Sequence, residues 1–224
     1  MQGTSVTVVA VREVGPDTIA MEFETPAGFD PLPGQFVLLR AKPWEDGEHP
    51  NAAESEDESV ARHYTLSSPG ADETFEITVG IDPDGELSPW LADRTAGETL
   101  HVEGPFGEIT YERDRDVVAV AGGPGVGPAI SIAEAAIDSG HDAVVIYQDD
   151  QPAHTDRLEG LEDADVPVTI LPDGDDEALA SAVADHLDDG QLYAFGFHDF
   201  VHTVADAIDD AGGDRDEALI ENFG

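Results

Sequence analysis

The first hundred or so residues alternate apolar and polar positions one for one. Val6, Val8 and Ala10 share one face of an extended segment, and Ile19, Met21 and Phe23 share a face of the next. Gly15-Pro16-Asp17 supplies the turn between them. Pro33-Gly34 breaks the chain ahead of a further strand, Gln35-Phe36-Val37-Leu38-Leu39. Residues 41–61 are polar and acidic, with Pro, Gly and Asn, and read as a mobile surface loop rather than a linker between domains. A strand is predicted over 75–81. Asp82-Pro83-Asp84-Gly85-Glu86 then forms a turn into a short helix over 88–93, with Ser88 at the N-cap position and Pro89 at the first helical position. A strand over 98–103 and the segment 104–111 follow. Strands, turns and one helix predict a small antiparallel β-barrel over residues 1–113.

Near Asp114 the rhythm changes. Val117-Val118-Ala119-Val120-Ala121 is apolar without interruption, as expected of a strand buried on both faces. Helices are predicted over 127–139, 154–162, 176–187 and 198–211, separated by strands over 143–147, 168–171 and 192–195, with a last strand over 218–222. This alternation predicts βαβ units, so residues 114–224 are expected to form a doubly wound α/β domain on a five-stranded parallel sheet.

Composition narrows the class. With no cysteine, disulfides, iron–sulfur ligation and thiolate catalysis are excluded for this chain. No apolar leader follows Met1 and no run is long enough to span a bilayer, so the expectation is a soluble, cytoplasmic protein. Fifty acidic residues face nine basic ones, a net charge of −41. Such an excess ordinarily predicts disorder, but 40% of the residues are hydrophobic and fall in periodic segments, so the chain folds. The consistent reading is adaptation to multimolar salt, where the screening length is about 3 Å or less and surface carboxylates repel one another little. No basic stripe exists to meet phosphates, which excludes nucleic-acid binding.

Two stretches carry chemistry. Arg62-His63-Tyr64-Thr65-Leu66-Ser67-Ser68-Pro69 sets a cation, an aromatic plane and three hydroxyls on one extended run. Arg62 and Tyr64 project to one side and His63 and Thr65 to the other, which suits a flat ligand with an anionic tail as well as an ordinary strand and turn. Gly122-Gly123-Pro124-Gly125-Val126-Gly127-Pro128 lies between the first parallel strand and its helix. Glycines there admit a pyrophosphate to the backbone, and the helix N-terminus behind them favours negative charge.

Together the two stretches resemble the flavin motif Arg-x-Tyr-Ser/Thr-x-Ser and the nucleotide motif Gly-Gly-x-Gly-x-x-Pro of the ferredoxin–NADP⁺ reductase family. Pro33-Gly34-Gln35-Phe36, Gly85-Glu86-Leu87-Ser88 and Gly104-Pro105-Phe106-Gly107 match it in the same order. The resemblance implies a Greek-key barrel binding FAD, then a domain binding NADH or NADPH. It places Arg62 on the FAD pyrophosphate, Tyr64 on the isoalloxazine and Thr65 near N5, with His63 and Ser67 in the same motif. Gly85, Glu86, Leu87 and Ser88 would give backbone and hydroxyl contacts to the pyrophosphate. Gly122, Gly123, Pro124, Gly125, Val126 and Gly127 would line the nicotinamide nucleotide. The ending Ile220-Glu221-Asn222-Phe223-Gly224 resembles the family's acidic-then-aromatic terminus, with Phe223 shielding the flavin and Glu221 close to the reaction.

Two departures stand out. Phe195-Gly196-Phe197 occupies the place of the family's Cys-Gly segment, so Phe195 inherits no catalytic role while Gly196 keeps the close-approach one. Gln148-Asp149-Asp150 follows the second parallel strand. A carboxylate such as Asp149 there repels a 2′-phosphate and accepts from a 2′-hydroxyl, which points towards NADH, although Arg157 a few residues on has the opposite sign. The implied activity is hydride transfer between nicotinamide C4 and flavin N5, then electron transfer to an acceptor the sequence leaves open: a ferredoxin, a flavodoxin-like protein, free flavin, a quinone or a separate oxygenase component. The alternatives are an electron-transfer subunit of a larger complex and a non-catalytic flavin- or nucleotide-binding regulator. His198 and His202, four apart, read as a solvated or capping pair, and no metal site is predicted. The charge reading predicts loss of the fold below roughly molar salt. Unfolding midpoints measured across a KCl series check it, and a midpoint independent of KCl would refute it.

Overall fold

The computed structural model describes residues 3–41 and 60–224. The first part holds six antiparallel strands, β1 (Thr4–Gly15), β2 (Thr18–Glu24), β3 (Phe36–Ala41), β4 (Val60–Thr65), β5 (Thr74–Gly80) and β6 (Thr99–Phe106), with one short helix, α1 (Ser88–Ala92). They pair in the order β4-β3-β6-β1-β2-β5. The two edges meet through an antiparallel bridge between Leu66 and Ile77. Beside it the Ser67 N–H donates to the Glu76 carbonyl at 2.8 Å. These bonds close the sheet into a barrel, which removes its open edge over that stretch. Inward positions repeat every second residue: Val6 and Val8 of β1, Met21 and Phe23 of β2, Val37 and Leu39 of β3, Phe75 and Ile77 of β5 are all buried. The Phe23 and Phe75 rings stack with centroids 5.2 Å apart at the middle of this core.

The second part is a five-stranded parallel sheet with helices on both faces. In chain order its elements are β7 (Val117–Gly122), α2 (Val126–Asp138), β8 (Ala143–Gln148), α3 (Thr155–Asp163), β9 (Val168–Leu171), α4 (Asp176–His186), β10 (Gln191–Gly196), α5 (His198–Asp210) and β11 (Leu219–Asn222). The strand order is β11-β10-β7-β8-β9. Every residue of β7 is buried, as the unbroken apolar run predicted. Ala119, Ala121, Val145 and Tyr147 point to the α2 and α3 side, and Val118, Val120, Ile146 and Ala194 to the α4 and α5 side. The chain runs outward from β7 to β9 and returns to β10 on the other flank. The switch point therefore lies between the carboxyl ends of β7 and β10, where this architecture leaves a crevice. Among the described residues no helix is long and apolar enough to cross a membrane.

Some local expectations shift. Ala41, Val60 and Ala61 belong to strands rather than to the predicted loop, and the rest of that loop lies outside the described residues. The strand predicted over 98–103 runs to Phe106, because Phe106 still pairs with Phe36. Ser88 is the first helical residue of α1 and Leu87 its cap; the Ser88 hydroxyl accepts instead from the Asp82 N–H at 3.0 Å, bracing the turn.

The two parts meet along one ridge of the barrel, built from the end of β4 and the facing stretch of β5. Gly127, in the first turn of α2, lies so close that a Cβ there would stand 2.8 Å from the Ser67 Cβ and overlap the Thr78 hydroxyl. One turn on, Ser131 Oγ donates to the Ser68 carbonyl at 2.9 Å. His154, in a left-handed conformation (φ 55°), donates its N–H to the Val14 carbonyl at 2.7 Å, and its Nε2 lies 2.8 Å from Thr78 Oγ1. Burial first, then the positive fields of Arg157 and Arg12, push its pKa down to about 3, so the ring is neutral in this contact. Gly127→Ala should destabilise the protein by about 1–3 kcal/mol, because overpacking here forces the two parts to separate. A chemical-denaturation midpoint at fixed KCl measures this, and an unchanged midpoint would mean the ridge yields freely.

Candidate functional site

A cleft runs between the barrel and the carboxyl ends of β7, β10 and β11. Its larger chamber, about 610 Å³, is bordered by Arg62, Tyr64, Thr65, the 85–88 turn, Pro124 and Phe197. A second chamber of about 360 Å³ is bordered by Gly34, Phe36, Gly107, Ile109 and Glu221. His63, Thr65 and Phe223 face both.

β4 supplies one wall because it pairs with β3 in a fixed register, Thr65 opposite Phe36 and Tyr64 opposite Val37. His63 and Thr65 therefore share the Phe36 face, and the His63 ring meets Phe36 edge-on with centroids 5.0 Å apart. Tyr64 lies against the barrel core, and its burial pushes the phenol up to about 12, so the ring stays neutral. Arg62 is exposed, and its Nη1 donates to the Ala61 carbonyl at 2.9 Å.

β11 supplies the other wall. Its parallel pairing with β10 sets Glu221 beside Phe195, and the Phe223 N–H donates to the Gly196 carbonyl at 2.9 Å. This carries the chain end across the cleft, where the Phe223 ring meets Phe197 edge-on at 6.1 Å. Thr65 Oγ1 donates to Glu221 Oε1 at 3.2 Å, joining residues 156 positions apart. Glu221 Oε2 is buried with no partner among the described residues. Burial raises the Glu221 pKa to about 7, and the Thr65 hydrogen bond offsets only part of that. Thr65, Glu221 and Phe223, far apart in sequence, thus meet in one place.

The glycine-rich loop is more differentiated than its sequence implied. Gly123, with φ 55°, has nothing within 4 Å of a Cβ position. Gly122 and Gly196 are glycines because the Phe200 ring fills the space a side chain would need. Gly125 abuts the Phe195 backbone, Gly127 abuts the barrel ridge, and the Val126 side chain is fully buried in the α/β core. Only Pro124 and Pro128 of this segment border the larger chamber. Leu87 likewise sends its side chain into the barrel core, leaving its backbone to the cleft.

Two candidate residues make bonds within the protein, and Phe195, given no role, is in the core. Ser67 is fully buried and does not border the cleft; its hydroxyl donates to Glu76 Oε1 at 3.1 Å, within the ridge. Asp149 accepts from the Tyr147 hydroxyl at 2.9 Å and from the Gln151 N–H at 2.8 Å, so its carboxylate shapes the β8–α3 loop. Phe195 is fully buried in the α/β core. Sequence reasoning missed Phe197, Phe36 and Gln148. Phe197 follows β10 directly at the sheet's carboxyl edge, a position that was available as a signal. Gln148 pairs with Gly122 and its Nε2 is buried without a partner among the described residues. His198 and His202 have ring centroids 4.3 Å apart, and no group of three metal-ligating side chains occurs among the described residues.

Residues 5–111 match the family model described as an oxidoreductase FAD-binding domain. The match spans nearly all of the barrel. Half of the chain aligns with the ferredoxin reductase component of the 3-ketosteroid-9-alpha-monooxygenase of Mycobacterium tuberculosis, at 35% identity over 117 residues. It aligns equally with the glycine betaine monooxygenase reductase subunit of Chromohalobacter salexigens, at 37% over 120 residues. These matches span 51% of this chain but only 30% and 29% of the relatives, so the chain covers under a third of their length. The whole chain superimposes on the ferredoxin reductase of carbazole 1,9a-dioxygenase with a TM-score of 0.80 at 24% identity, covering 68% of it. Both domains therefore share the ferredoxin reductase fold.

Glu221 yields a pH prediction. Its folded pKa, about 7, stands above the ordinary 4.5, so the stability it contributes is full below 4.5 and is lost as pH rises through about 7. Glu221→Gln should remove that part of the slope from the melting temperature against pH. A profile the substitution leaves unaltered would show that Glu221 titrates at its ordinary value.

Proposed function

We propose that this chain is an FAD-dependent reductase that takes hydride from NADH and passes electrons to a protein acceptor. The observation that carries the reading is the meeting of Thr65, Glu221 and Phe223 beside the Arg62–Tyr64 strand, in a cleft bordered on its other side by Pro124 and Pro128 of the glycine-rich segment. The residues present fit both cofactors. A buried carboxylate oxygen on Glu221 and a buried amide on Gln148 have no partners among the described residues, and Gly123 has no neighbour where a Cβ would stand. Bound FAD would accept hydride from the nicotinamide and release electrons singly or in pairs.

The chain's own residues bind and orient the cofactors. Arg62 is placed to neutralise a pyrophosphate beside the 85–88 turn. Tyr64 gives a flat neutral surface for an aromatic ring. Phe223 and Phe197 border the cleft with their rings edge-on, and a nicotinamide would displace the Phe223 ring to stack. Glu221, its pKa raised by burial to about 7, can take up or release a proton near neutrality beside the Thr65 hydroxyl.

Two observations support NADH over NADPH. Asp149, Asp150 and Asp173 cluster at the carboxyl ends of β8 and β9, close enough that the first two raise the pKa of the third, after its burial. They would repel a 2′-phosphate. Arg157, the cation of opposite effect, already contacts Glu134, Glu76 and the Ser67 carbonyl. The acceptor is proposed from the relatives, which are reductase parts of oxygenases. Phe195, which stands in the place of the family's cysteine, is buried in the α/β core and borders neither chamber. We further propose a domain boundary near Asp114, between the end of β6 and the start of β7, and a cytoplasmic, high-salt setting to match the charge.

Protein purified in high KCl should be yellow and should bleach with NADH under anaerobic conditions. A colourless preparation that rejects added FAD would refute the reading. Arg62→Ala should weaken FAD retention more than NADH affinity, and equilibrium titrations showing the reverse would assign the cleft to the wrong ligand.

A further inference from the structure

The ridge between the domains holds a polar cluster that the cofactor reading leaves unused. Arg157 stands in the first turn of α3. Its Nε and Nη2 donate to the two carboxylate oxygens of Glu134 on α2, at 2.9 and 2.7 Å. Nη2 also donates to the Ser67 carbonyl at 2.8 Å, and Nη1 to Glu76 Oε1 at 3.2 Å. The Ser67 hydroxyl donates to that same Glu76 oxygen, and Arg12 pairs with the other. A single guanidinium thus joins α2, α3, the segment after β4, and β5.

The geometry around it is directional. Gly127, Ser131 and Glu134 stand at positions i, i+4 and i+7 of α2, so they form one face of that helix. All three meet the ridge: Gly127 packs on Ser67 and Thr78, Ser131 bonds Ser68, and Glu134 reaches Ser67 and Glu76 through Arg157. Ser67 lies two residues after Thr65 on the flavin side. The same helix begins directly after the loop of Gly123 on the nucleotide side. Without the guanidinium, Glu134 and Glu76 would face each other across the interface as like charges, with Arg12 left to balance Glu76. The planar fork also fixes an angle, because both oxygens of Glu134 are engaged at once.

We propose that Arg157 is a positioning residue for hydride transfer, setting the separation of the flavin-bearing strand from the nucleotide-bearing loop while touching neither cofactor. The inference rests on the flavin–nucleotide reading above. Its physical basis is the steep dependence of transfer on geometry, in which a displacement of about 1 Å costs on the order of 100-fold in rate.

The test compares Arg157→Met and Arg157→Lys with the native protein in high KCl. Anaerobic stopped-flow reduction of the FAD-loaded proteins by NADH gives a limiting rate and an apparent Kd. Arg157→Met is expected to lower the limiting rate roughly 10–100-fold, with the Kd for NADH and the bound FAD changed by no more than about twofold. Arg157→Lys should recover part of the rate, since an ammonium meets one carboxylate but cannot fork. Hydrogen exchange on flavin-free protein is the independent readout: amides at 67–68 and 126–134 should exchange faster in Arg157→Met. A limiting rate within about twofold of native would overturn the proposal, whether or not exchange accelerates. Unchanged exchange would overturn it as well. Should Arg157→Met fail to fold, Glu134→Gln keeps the guanidinium and loses one charge, and must show the same pattern in smaller measure. If the native flavin is not bleached by NADH at all, the functional reading fails instead, while exchange still reports whether the clamp exists.

Discussion

The structure depends on one close approach, the contact of the α2 face with the barrel ridge at Ser67, Ser68 and Thr78. The ridge serves two purposes at once. The Leu66–Ile77 bridge and the bond from the Ser67 N–H to the Glu76 carbonyl close the barrel. The side chains and remaining carbonyls of the same residues receive Gly127, Ser131, His154 and Arg157 from the second domain. A shift at the barrel seam is therefore a shift of the nucleotide loop. Close packing makes such an interface stiff, because each atom displaced loses contacts that nothing else replaces.

Electrostatics reinforces this arrangement. The chain has nine basic residues, and three of them, Arg12, Arg113 and Arg157, act at the domain interface. Arg113 bonds both the Pro69 carbonyl and the Ala135 carbonyl, so it spans the same gap as Arg157. Burial raises the pKa of Glu76, and the guanidinium groups of Arg157 and Arg12 oppose that rise. Surface repulsion among fifty acidic residues can be screened by salt, whereas an interior carboxylate is reached by no counter-ion and needs a fixed partner. Two of the scarce cations, Arg113 and Arg157, span the seam, and Arg12 pairs with Glu76 beside it.

The cleft has a different logic. One of its groups is left short of a partner among the described residues, the Oε2 oxygen of Glu221. Unpaired buried polar atoms destabilise a fold unless something binds them, and the unpartnered oxygen of Glu221 lies at the wall of the cleft. Glu221 stands at the edge strand of the parallel sheet and Thr65 at the end of an edge strand of the antiparallel one, and their hydrogen bond exists only because the ridge is closed.

Periodicity and turn chemistry determined the elements, because burial of one strand or helix face is written locally: β9 at 168–171 and the fully buried β7 follow from their own residues. The order of elements determined the two sheets, since short connections leave few topologies open. Motif spacing pointed to Arg62, Tyr64, Thr65 and Glu221 without showing that they meet. What only tertiary structure decided is which partner each residue faces across the seam. Ser67 read as a ligand group and closes the barrel; Gly125 and Gly127 read as ligand contacts and admit other backbone and side chains. Arg157 read as a charge near the ribose site and holds the domains together. A pattern along the chain reports whether a face is buried, but the identity of what buries it lies 63 to 156 residues away, and no local signal carries that distance.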